Sequence, residues 1–466
     1  MKKQILLTLS AALLLLASCK KDKTPDTGNP GTSANVIEVS GDIASDMVWK
    51  ADKKYLLKGF VYVTQGATLT IEPGTIIRGD KQSKGTLTVT RGSKINAEGT
   101  VNKPIVFTSA ADPGARREGD WGGVILLGKA PINPSGGEAK IEGGLTATNG
   151  GNERSYTWYG GQDANDNSGV LKYVRIEFAG IAFTPDNEIN GLTMGGVGAG
   201  TKISFVQVYR SGDDAFEWFG GTVNCDHLIA SNTWDDDFDT DFGYSGQVQF
   251  GLALRAKTIA DVSGSNGFES DNDGNGSTNN PQTKAVFSNM TIVGPINGTS
   301  ASGINANFQN GAQIRRNSSI SIVNSIIMGF PVGLYIDDTK GAATTANAQN
   351  GTLKFANNII AGCVQPFKAS SATFDILAWI NQNNNSVLTS TDDALLKDPF
   401  KFSSSIANGD NIGRPSFLLK AGSPAASGAN FNGFGNFQSV PYIGAFDGSN
   451  DWTELWTNWD AENTVY

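Results

Sequence analysis

The chain has 466 residues, of which 57 are Gly and 17% are charged, and its formal net charge is −9. Abundant Gly, with almost no helical Ala/Leu/Glu/Lys periodicity past residue 20, argues against a helical bundle and for an all-β chain with many turns. The acidic balance and the lack of a basic patch argue against nucleic acid as a partner.

Lys2 and Lys3 precede an apolar run from Ile5 to Leu16, which Leu16-Ala17-Ser18-Cys19 closes. The run falls short of the ~20 residues that a membrane-spanning helix needs, so it reads as an export signal. Its closing tetrapeptide resembles a bacterial lipobox. That implies a lipoprotein signal peptide over residues 1–18 and lipid attachment at the thiol of Cys19. Lys20-Lys21-Asp22-Lys23 and the Pro/Gly/Thr-rich stretch after it then form a flexible tether over residues 19–35. No Asp follows Cys19, which fits delivery to the outer membrane; an anchor in outer-membrane lipid and cell-surface exposure are expected. The other two cysteines, Cys225 and Cys363, lie far apart and read as buried free thiols.

Self-similarity begins at Gly66. Leu69 and Leu87, Gly74 and Gly92, and Ile77 and Ile95 occupy matching places in two segments, each pair 18 residues apart. Alternation marks the strands and Gly the turns, so a constant short period with two strands per unit predicts a coil whose turns stack. Further strands open at Leu171, Ile203, His227 and Val248, while Asn289, Asn324 and Asn357 each begin an Asn-x-x-Ile-x-Gly segment. Asn at successive bends predicts a ladder in which each amide satisfies its neighbours and the bend backbone. Residues 110–120 and 134–169 are too rich in Gly, Asn and Pro for strands and read as projecting loops. The coil is assigned to residues 36–433. Residues 434–466, with Trp452, Trp456 and Trp459, read as a Trp-rich C-terminal cap over its open apolar end.

The entry Leu69-Thr70-Ile71-Glu72-Pro73-Gly74 resembles the way coils begin in the pectin-lyase-like superfamily. The fold expected from this resemblance is a right-handed single-stranded parallel β-helix. The strings from Trp121 to Asn133, Ser211 to Asn224 and Trp234 to Leu252 further resemble a group of exported Bacteroidota lipoproteins.

Between Ser211 and Asp273 the chain concentrates thirteen acids against two bases, Arg255 and Lys257. Three clusters share one frame, Phe followed by an acid: Phe216-Glu217, Phe238-Asp239 and Phe268-Glu269. The Phe residues are 22 and 30 apart, one turn of coil and one turn plus a loop. With the rings pointing inward, the next residue points outward. Glu217, Asp239 and Glu269 would then form a carboxylate column at the ~4.8 Å strand spacing. Asp214 and Asp236 form a second column, and Asp241 and Asp271 a third. Hard oxygen donors on neighbouring strands suit Ca²⁺, and the candidate ligands are Asp213, Asp214, Glu217, Asp235, Asp236, Asp237, Asp239, Asp241, Glu269, Asp271 and Asp273. His227 is the only His, so zinc has no ligand cluster.

Two functions follow. One is a calcium-stiffened surface module that binds glycan or another surface component without catalysis. The other, implied by the family resemblance, is a calcium-dependent polysaccharide lyase or a glycoside hydrolase acting on acidic polysaccharide. For the lyase, Arg210 and Arg255 are the candidate bases. For the hydrolase, Gly212-Asp213-Asp214 resembles the acid pair of that class, although Leu228 follows His227 where those enzymes carry Gly.

Overall fold

A computed structural model of the chain describes residues 36–148, 150–184, 187–402 and 413–466. Cys19 and the tether lie outside the described residues.

The strands wind into a right-handed parallel β-helix of three walls. Ile76–Gly79, Ile105–Ser109 and the second halves of Gly169–Glu177, Lys202–Tyr209 and Cys225–Ser231 stack in the first wall. The second wall stacks Thr86–Val89, Val124–Leu127, Leu192–Gly195, Phe216–Phe219, Phe238–Asp241 and Phe268–Ser270. The third holds Thr68–Ile71, Lys94–Glu98 and the first halves of the long strands, then Val286–Ser288 and Ser321–Val323. Side chains alternate across each wall, and the inner set (Leu69, Ile95, Leu171, Val206, Phe216, Phe238, Ile292, Ile327 among them) makes one continuous buried core.

The 18-residue similarity is not the stacking period. Leu69 lies beside Ile95 and Leu87 beside Val61, so a turn there takes three strands and 26 residues. Leu69 and Leu87 sit on different walls. They look alike because every wall alternates in the same way.

The corner between the third and first walls is made by one residue per turn in the left-handed region. Tyr173 (φ 50°), Phe205 (54°), His227 (53°) and Phe250 (61°) are followed in later turns by Asn289 (55°), Asn324 (51°) and Asn357 (56°). Asn tolerates this backbone, whereas aromatic residues rarely do. The four rings stack up the corner, Tyr173 on Phe205 at 4.6 Å, Phe205 on His227 at 4.2 Å, and His227 on Phe250 at 5.0 Å.

This outward column explains where the C-terminal segment goes. Trp452 and Trp456 meet His227, Phe205 and Tyr173 edge-on, and with Trp459 they pack over outward residues of the first wall such as Ile229, Leu252 and Leu254. Residues 434–466 therefore lie along the side of the coil as a strap, not over its open end. The strap runs backwards, from Gln247 and Gln249 near its start, past Arg175 and Gln207, to Lys54 and Arg78 at Tyr466. The corner Asn residues serve the same segment. The Nδ2 of Asn289 donates to the Tyr442 carbonyl, and Asn324 exchanges two bonds with the Asn430 backbone. At 289 and 324 these tail contacts take the place of the expected amide-to-amide ladder.

Residues 134–169 also fold back instead of projecting. Tyr62, Ile125, Leu127 and Phe219 point outward from the second wall, and Ile132, Ile141, Leu145, Tyr156 and Tyr159 close over them as a second small core. Asn152 caps the short helix Glu153–Thr157 within this layer.

Candidate functional site: an acidic cleft on the second wall

The Phe frame stacks as its spacing predicts. Phe216, Phe238 and Phe268 are in register, with ring centroids 5.7 Å and 5.3 Å apart. All three are fully buried. Glu217, Asp239 and Glu269 are consequently paired neighbours on adjacent strands.

Two residues before each Phe, the chain turns the corner into the second wall. Here the side chains lace the turns together. The amide of Asp236 donates to Oδ1 of Asp214 (2.8 Å), that of Asn266 to Oδ1 of Asp236 (2.6 Å), and that of Asn310 to Oδ1 of Asn266 (3.0 Å). Asp214 and Asp236 thus each commit one carboxylate oxygen to the backbone above. The same register places Asn190 one step below Asp214, because Leu192 pairs with Phe216.

The acids do not form a solvated ladder. Glu217 is 6% exposed, Asp214 7% and Asp236 4%, because the folded-back layer and the segment before Leu192 lie over them. Glu142, Glu188 and Asn190 join Asp213, Asp214, Glu217, Asp235 and Asp261 around a cleft of about 300 Å³. Asn190 donates to Glu217 and, at 3.2 Å, to Glu142.

Three sets of carboxylates bring oxygens within 4.8 Å of one another: Asp213, Asp214 and Asp235; Asp214, Glu217 and Asp239; and Asp236, Asp239 and Glu269. Asp214 and Asp239 each belong to two sets. Burial, and then the neighbouring carboxylates, push the carboxyls of Asp214, Glu217, Asp236 and Asp239 well above the ordinary range. Burial raises Glu269 to about 7, against the pull of the Arg315 guanidinium, and Asp235 to about 6. Three buried acceptor oxygens here, Oδ1 of Asn190, Asp235 and Asp239, have no hydrogen-bond donor among the described residues. Acceptors without donors, in a set of hard oxygens on neighbouring strands, fit a Ca²⁺ ion.

The other predicted ligands are engaged elsewhere. Asp237 points away from the cleft and pairs with Arg255 at 2.9 Å. Asp271 is held by Arg315 (2.9 Å) and Arg316 (2.5 Å), and Arg315 also pairs with Glu269. Asp273 accepts the amides of Asn275 and Ser277, so it organises its own loop. Asp241 accepts the amide of Phe242 at 2.5 Å, and burial beside Asp271 raises its carboxyl well above the usual range.

Both candidate bases are clamped. Arg210 pairs with Glu118 and with Glu462 of the strap (2.5 Å). Arg255, fully buried, also donates to the carbonyls of Thr233 and Asn266, each at 2.6 Å.

Glu142, Glu188 and Asn190 escaped the sequence reading, since they lie outside the acidic stretch. One signal was present: Asn190-Gly191-Leu192-Thr193 has the frame of Asp214-Ala215-Phe216-Glu217, with neutral residues at both acidic positions. Glu142 carries no comparable mark.

The family model described as "Pectate-lyase like beta helix domain" matches residues 41–396. No curated protein matches the sequence. Among solved structures, the chain is similar to the crystal structure of pectate lyase Pel9A, with 14% identity, a TM-score of 0.37, and coverage of 83% of this chain and 88% of that one. It is also similar to the Dettilon tailspike protein (gp208), with 11% identity, a TM-score of 0.22, and coverage of 68% and 61%. With most of its length matched by the family model, the chain belongs to the pectate-lyase-like β-helix family, which carries a carbohydrate-related role at family level.

Proposed function

We propose that the chain is a cell-surface lipoprotein, anchored in the outer membrane through Cys19, that binds glycan through a calcium-loaded acidic cleft without cleaving it. The observation that carries the metal is the shared set Asp214, Glu217 and Asp239, beside the donorless oxygens of Asn190 and Asp239. A calcium ion there would offset mutual repulsion that costs several times more near a protein surface than in water. It would also leave coordination positions facing the cleft for sugar hydroxyl or carboxylate oxygens. Support for binding without lyase chemistry comes from Arg210 and Arg255, both spent on internal ion pairs.

A hydrolytic reading draws on one specific observation. Asp213, Asp214 and Asp235 converge within 4.8 Å, and burial first, then neighbouring charge, pushes each carboxyl up, as a general acid requires. Calorimetric titration of the chelator-stripped protein with CaCl₂ tests the metal. A panel of acidic polysaccharides, followed by reducing ends and by the ultraviolet absorbance of unsaturated ends, tests cleavage. Absence of calcium binding overturns the proposal, and new ends with any substrate replace the binding module with an enzyme.

A further inference from the structure

The third wall carries a groove of different character. Its floor is set by register. Gln247 pairs with Val286, and Val286 with Ser321, while Lys354 follows one turn on, since the Ile322 amide bonds its carbonyl. The strap forms the far side at Gly433, Phe434 and Gly435, and the space between is about 580 Å³. That lies within the range of small-ligand pockets, about 300–1,000 Å³.

Four features give this groove a chemistry. None of its lining residues is acidic, in a chain of net charge −9. Lys284 and Lys354 both line it, and among the described residues neither is paired with a carboxylate. The Nζ of Lys354 stands 5.1 Å from the centroid of the Phe434 ring, so ring and cation form one surface. Finally, Ser319 lines the groove, is 1% exposed, and its buried hydroxyl has no hydrogen-bond partner among the described residues. An unused buried hydroxyl beside two unneutralised ammonium groups is a recognition feature, since buried polar groups are ordinarily satisfied.

We propose that this groove is a second saccharide-binding site, specific for a sugar unit that carries a carboxylate or a sulfate. The anionic group lies between Lys284 and Lys354 and accepts from the Ser319 hydroxyl. The apolar face of the pyranose ring covers Phe434, as aromatic side chains permit. Gln247 and Gln282, whose Nε2 groups already donate to the Phe434 carbonyl (3.5 Å) and the Asn317 carbonyl (2.8 Å), turn their amide oxygens to the ring hydroxyls. The acidic cleft is on another wall and recruits oxygens through a metal, whereas this groove needs none.

The test therefore uses the full chain in EDTA, so that success or failure is separate from the calcium proposal. Binding is measured by calorimetry with three probes of similar length: a galacturonate trisaccharide, which carries carboxylates only, a κ-carrageenan tetrasaccharide, which carries sulfates only, and neutral cellotriose. The site takes one or both anionic probes in preference to cellotriose, and which of them binds identifies carboxylate or sulfate as the natural group. The Lys284→Gln/Lys354→Gln double variant, with an unchanged melting temperature, weakens that binding by about tenfold or more, since charge-assisted bonds are lost. Phe434→Leu weakens it while leaving its salt dependence intact. Equal affinity for cellotriose, no binding of either anionic probe, or unchanged affinity in the double variant overturns the proposal.

Discussion

Asp237 and Arg255 form an ion pair at 2.9 Å in which neither side chain has any exposure. The pair sits at the base of the acidic stretch, and Arg255 also ties together three carbonyls, those of Thr233, Asp235 and Asn266. Removing one partner leaves the other charge buried and alone. Asp237→Ala is expected to destabilise the fold by about 3–5 kcal/mol, read from urea unfolding. Arg255→Met combined with Asp237→Leu should recover only part of that loss, because it removes the lone buried charge but takes the donor from the carbonyls of Thr233, Asp235 and Asn266.

The cleft predicts a cation-dependent melting temperature. At about 100 times its Kd, Ca²⁺ should add about 2.7 kcal/mol of stability, and EDTA should remove it. Asp239→Asn, which touches two of the three carboxylate sets, should abolish most of the calcium shift and raise stability in EDTA. Scanning calorimetry with and without Ca²⁺ measures both effects.

The pH dependence has a definite sign. Glu269 is raised from its ordinary 4.5 to about 7, so between these values the folded chain holds a proton that the unfolded chain has released. Without a cation, stability should therefore be full below about 4.5 and should fall as pH rises towards about 7. Asp235, raised from 3.8 to about 6, adds to the same trend at a lower window. Excess Ca²⁺ should flatten or reverse it, because the ion binds only deprotonated carboxylates. Melting curves from pH 4 to pH 8, in EDTA and in Ca²⁺, distinguish the two cases.

The strap should be worth far more than its lack of regular secondary structure suggests. Trp456 is fully buried against the Tyr173 and Phe205 rings. Trp456→Ala is expected to cost about 3–5 kcal/mol, measured by denaturant unfolding. Deleting residues 434–466 should uncover the aromatic corner and produce aggregation, detectable by light scattering.

Much of the fold was legible because alternation and turn residues are local. The register of Phe216, Phe238 and Phe268, with acids one place later, could be read from spacing alone, since stacked turns repeat what sequence repeats. The number of walls could not be read this way. Leu69 and Leu87 look equivalent in sequence, and only the pairing of Leu69 with Ile95 shows that they are not stacked. The lid over the acids was hidden for a different reason. Asn190 reaches the cleft through the separate segment before Leu192, and Glu142 through a long insertion whose closure depends on outward apolar residues such as Tyr62 and Leu127. In a strand those residues read simply as one more hydrophobic position.

The strap also changes what kind of folding unit this is. Stacked-turn proteins ordinarily behave as one-dimensional arrays, in which each repeat senses only its neighbours and ends can fray independently. Here Tyr466 bonds Lys54 across 412 positions of sequence, and Trp456 and Gln438 bind turns in between. Loss of an end turn therefore pulls on contacts at the middle, so local fraying is converted into a shared, all-or-none transition. Synthesis order gives the same contact a second meaning: the early turns remain unlatched until the strap, which is made after all of them, has emerged.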